Sequence, residues 1–114
     1  MRKIEENMIT AINNKQDWEH DNTSVHYNEE DNYSIVRLHG HKIAVINNNS
    51  ITISNAGYYT NVTKSRLNVI IKEFKDGTKN GVFQKGKCPI TNDKQWYIRD
   101  NNNVIPFTSG YVFS

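Results

Sequence analysis

The sequence predicts a small α+β protein with an N-terminal helix, an antiparallel meander, one amphipathic helix over about 63–75 packed on the sheet, and further C-terminal strands. Three patterns point there. Apolar residues recur four apart at the start, short apolar runs broken by Asn and Gly follow, and one stripe at i, i+3, i+4 and i+7 lies past the middle. The 114 residues fit a single domain, 1–114, because a chain of this size buries roughly two-thirds of its unfolded surface around one core.

In the first thirteen residues Ile4, Met8 and Ile12 stand four apart with Ala11 beside them. Arg2, Lys3, Glu5, Glu6 and Asn7 fill the other face, which gives an amphipathic helix. Asn13 and Asn14 suit its end, and the polar stretch Lys15 to Asn22 reads as a loop anchored by Trp18. Strands are expected at Val25 to Tyr27, Tyr33 to Leu38, Lys42 to Ile46 and Ile51 to Ser54. The breaks between them are rich in Asn and Gly, which tolerate the left-handed backbone of tight turns. Ile43 to Ile46 is apolar on both faces and suits a central strand.

Leu67, Ile70, Ile71 and Phe74 form the stripe of the second helix, with Thr63 as its N-cap and Gly77 where a left-handed C-terminal residue belongs. Gly81 to Gln84, Gln95 to Arg99 and an irregular last segment, Val104 to Phe113, read as further strands.

Composition narrows the chemistry. Apolar residues make up 36% of the chain and charged residues 23%, enough Ile, Val, Tyr and Phe to fold. The net charge of +2 gives no overall attraction to a polyanion, so any nucleic-acid surface is local. A lone cysteine closes no internal disulfide, and neither an export-type start nor a run of roughly 18 to 20 apolar residues is present, so the expectation is a cytoplasmic protein and no membrane.

No catalytic, metal or cofactor constellation is legible. His39 and His41 flank Gly40 in a predicted turn that splays their side chains, and His20 and His26 offer no better metal site. Cys88, before Pro89, has no base nominated by spacing and is read as an ordinary loop residue. Glu29, Glu30 and Asp31 lack the spaced oxygens of a calcium loop.

The sharpest local feature runs from Thr60 to Arg66. It sets hydroxyls and two cations at the first turn of the second helix, where free amides suit a phosphate or carboxylate. The competing reading has Thr63 capping the helix while Ser65 and Arg66 satisfy neighbouring backbone or acidic groups. Tyr58 and Tyr59 lie beside these cations, placed to stack bases or to line core and rim. The candidate binding residues are therefore Tyr58, Tyr59, Thr63, Lys64, Ser65 and Arg66.

At Leu38-His39-Gly40, Ile43-Ala44, Gly57-Tyr58 and Thr63 to Asn68, with its Thr-x-Ser-Arg-Leu-Asn start, the chain resembles a family of small, mostly uncharacterised bacteriophage proteins. Tyr58 stands where that pattern more often has Trp. The resemblance implies a phage origin, action in the host cytoplasm, and the binding roles of short phage genes. The leading expectation is a non-enzymatic accessory protein that binds a host protein or protein complex, as a counter-defence or host-takeover inhibitor. The alternative is a nucleic-acid-binding module using Lys64, Arg66, Tyr58 and Tyr59.

Overall fold

Apolar residues four apart at the start of the chain form helix α1 (Lys3–Asn13), and Met8, Ile9, Ala11 and Ile12 are buried as that spacing requires. Glu5 departs from the expectation of a solvent-facing carboxylate: it is 1% exposed. It accepts the Arg2 amide at 3.2 Å as half of a capping box and also reaches inward to the second helix. The computed structural model describes residues 2–87, 89–90 and 94–114.

Alternating burial along β3 (Tyr33–Leu38) marks a strand with one face on the core. With β1 (Trp18–His20), β2 (Thr23–Asn28), β4 (His41–Ile46) and β5 (Ile51–Ile53) it makes the expected antiparallel meander. Lys15 to Asn22 is not wholly loop, because Trp18 pairs with Val25 and starts a short edge strand. The β3–β4 turn is two residues long, Leu38 pairing with His41, and both central residues are left-handed (His39 φ 52, Gly40 φ 79). That is the primed hairpin turn, which needs φ above zero twice and accounts for Gly40. A bulge in the β3–β4 pairing lets the consecutive residues Ile43 and Ala44 both enter the core, each 1% exposed.

The second helix, α2 (Asn61–Phe74), starts two residues earlier than the stripe suggests. Thr60, not Thr63, is the N-cap: its Oγ1 accepts the Thr63 amide at 3.2 Å. Leu67, Ile70 and Ile71 are fully buried, whereas Phe74 is only partly so. Gly77 is not left-handed, since the helix ends through an extended Lys75 (φ −137, ψ 177). The glycine instead makes room, because a Cβ there would lie 3.0 Å from Lys72 Cγ.

The C-terminal strands form a second sheet in the order β6 (Gly81–Lys87), β7 (Lys94–Asp100), β8 (Asn103–Pro106). The last segment does not stay in it. After Pro106 the chain crosses over, and β9 (Tyr111–Phe113) pairs with β5 as the sixth strand of the large sheet. The Tyr111 hydroxyl donates to the Asp100 carboxylate across this crossing. That hydrogen bond, with burial and the nearby negative charge, pushes the Tyr111 pKa up to about 12. Asn68 of α2 bonds the β6 edge in both directions, Nδ2 to Val82 O at 2.8 Å and Val82 N to Oδ1 at 2.7 Å, and so stands in for a neighbouring strand.

Candidate binding surface

Between β5 and α2 the chain is shaped by one side chain. Asn55 is 3% exposed, and its Oδ1 accepts the Gly57 amide at 2.9 Å while its carbonyl accepts the Tyr58 amide at 2.8 Å. This turn forces Ala56 into the left-handed region (φ 53), a conformation that costs an L residue about 1–2 kcal/mol. The result is a projecting Tyr58 and a hollow of about 320 Å³ beside it.

Leu38, Ile43, Ala56 and Val62 give the hollow apolar walls, with His41 and Tyr58 at its rim. The Tyr58 hydroxyl lies 3.4 Å from His41 Nε2 and the two rings are 5.2 Å apart, which props the tyrosine upright while leaving it 51% exposed. Asn55 also lines the hollow, and its Nδ2 is buried with no hydrogen-bond partner among the described residues. Tyr59 turns to a different neighbour. It packs edge-on against Trp96 at 5.2 Å, and Trp96 meets Phe107 the same way at 5.4 Å.

At the first turns of α2 the cations and hydroxyls separate. The Arg66 guanidinium is buried and pairs with Glu5 Oε2 at 2.8 Å, donating also to Thr23 Oγ1 at 3.1 Å and Asn22 Oδ1 at 3.3 Å. Ser65 donates to the same Glu5 oxygen at 2.6 Å. Burial alone would raise the Glu5 pKa, but the hydrogen bonds from Ser65, Arg66 and the Arg2 amide, with the Arg66 charge, outweigh it and hold the carboxyl below its usual range. Thr63 is buried against the Thr60 hydroxyl, 2.9 Å away.

Of the six candidate residues, Thr63, Ser65 and Arg66 are thus engaged inside the fold, and Tyr58, Tyr59 and Lys64 reach the surface. Sequence reading missed the hollow itself. Leu38, Ile43 and Val62 look like ordinary core residues in the sequence, and the Asn55-Ala56-Gly57 turn is the one local signal at this place.

His39 and His41 are both exposed, and among the described residues no group of three or more His, Cys, Asp or Glu side chains gathers to hold a metal. Cys88 lies outside the described residues.

The family model described as Kyanoviridae Gp96 protein matches residues 1–114. The chain belongs to this bacteriophage family. No curated protein and no solved structure matches it. Among the described residues no helix of this Gp96-family chain is long and apolar enough to cross a membrane.

Proposed function

We propose that this phage protein acts without catalysis by binding a host protein, seating an apolar side chain of that partner in the hollow beside Tyr58. A counter-defence or host-takeover inhibitor works in this way. The observation that carries the reading is the hollow's composition: aliphatic walls, a half-exposed aromatic on its rim, and, among the described residues, no Lys, Arg, Asp or Glu in its lining. Exposed aromatics next to desolvated apolar pockets are the usual anchors of protein interfaces. The strained Ala56 fits a loop kept for recognition. A nucleic-acid site at this same turn is weaker, because Arg66 is committed to Glu5 and only Lys64 of the two cations reaches the surface.

The test is capture from nuclease-treated host lysate by the wild type, Tyr58→Ala and Val62→Asp, with circular dichroism confirming the fold of each. A discrete host protein should be retained by the wild type and weakened about 30-fold or more by Tyr58→Ala, the cost of one interface anchor. Capture that disappears with nuclease, or that both folded variants keep in full, contradicts the reading.

A further inference from the structure

The three-stranded sheet has an outward face quite unlike the hollow. Val82, Trp96 and Ile98 point to the core, so strand alternation turns Phe83, Tyr97, Arg99 and Val104 the other way. Phe83 and Tyr97 are cross-strand partners whose rings stack 5.6 Å apart at 25°, and Pro106 pairs with Tyr97 on the next strand. Val104 beside them is 54% exposed. Next to this aromatic platform a cleft of about 370 Å³ runs between α2 and the sheet. Lys72 and Arg99 both line it, Phe83 stands in its wall, and among the described residues no acidic side chain is in its lining. Arg99 Nε is buried there with no partner among the described residues.

Charge is distributed to match. From residue 61 onward the sequence carries nine Lys or Arg and four Asp or Glu, a net of +5, while residues 1–60 carry five and eight, a net of −3. The buried Glu5–Arg66 pair draws one charge from each half and leaves the contrast standing. Two of the acids in the basic half are also engaged: Asp76 accepts from Thr78, and Asp100 accepts from Tyr111.

We infer that this face binds single-stranded nucleic acid, with bases stacked on Phe83 and Tyr97 and backbone phosphates held by Lys72 and Arg99. This face shares no residue with the hollow of the proposed protein contact. An aromatic platform needs unpaired bases, since a duplex hides their faces, and cations flanking aromatics are the common design of single-strand binders. A platform of this kind is tolerant of sequence, because every base has a π-face.

Fluorescence anisotropy with labelled oligothymidylate and oligouridylate, against a duplex of equal length and inorganic polyphosphate as competitor, tests this. Single strands should bind more tightly than the duplex and resist polyphosphate. Affinity should fall with salt, and Lys72→Gln or Arg99→Gln should each flatten the logarithmic salt slope by about 0.7. Tyr97→Ala should weaken binding about 5- to 150-fold, the loss of one base stack. Tyr97→Leu keeps apolar volume on the strand, and with an unchanged melting curve it should show a similar loss. Equal affinity for the duplex, full displacement by polyphosphate, or binding indifferent to Tyr97→Leu and Arg99→Gln would overturn the inference. So would a host protein held by this face from nuclease-treated lysate while the oligonucleotides fail to bind.

Discussion

Glu5 and Arg66 meet inside the protein although they lie 61 positions apart, and their ion pair ties the first turn of α1 to the second turn of α2. Removing one member leaves a buried charge unpaired, which typically costs 3–5 kcal/mol, so Arg66→Ala should be among the most destabilising single changes in this chain. Acid should act on the same pair. The folded pKa of Glu5 lies below the ordinary 4.5, so its contribution is complete above that value and is lost as pH falls through the folded pKa. Melting temperatures measured from neutral pH downward should show wild type and Glu5→Gln converging in acid. A constant gap would contradict the role assigned to the carboxylate. The pair was half legible in the sequence. That Arg66 has an acidic partner was one of two open readings, but which acid it meets depends on how the helices pack, and Glu5 lay among polar neighbours that gave it a surface address.

Among the elements, those fixed by local pattern were readable and those fixed by distant pairing were not. The stripe of α2 fixed which side of the helix faces the core, and Asn and Gly marked the turns, because both signals lie within a few residues of the backbone they shape. The N-cap was misplaced by three residues, since Thr60 and Thr63 are equally good capping residue types, and it is the Thr60 hydroxyl that accepts the Thr63 amide. The final crossing from β8 to β9 was hidden because β9 pairs with β5, far back in the chain. Partial burial of Phe74 ranks the helix positions: Phe74→Ala should cost about 1–3 kcal/mol, less than Leu67→Ala at about 2–5. Asn68→Leu, which leaves both Val82 backbone groups without their side-chain partner, should cost about 1–3 kcal/mol. Urea unfolding checks all three, and a Phe74→Ala cost above that of Leu67→Ala would count against this packing.

At the scale of the whole molecule the two sheets carry different chemistry on one continuous core. The near-zero net charge concealed this, since an acidic first half and a basic second half cancel in the total. The hollow was equally concealed, because its walls come from β3, β4, the turn at Ala56 and α2, and no one stretch of sequence contains it. The surface at Tyr58 is the proposed docking site for a host protein. Amide hydrogen exchange, compared for the chain alone and with its captured host protein, tests this most directly. Exchange should slow at residues 38–43 and 55–63, with β6, β7 and β8 unchanged. Protection confined to the three-stranded sheet, or none around Tyr58, would contradict it.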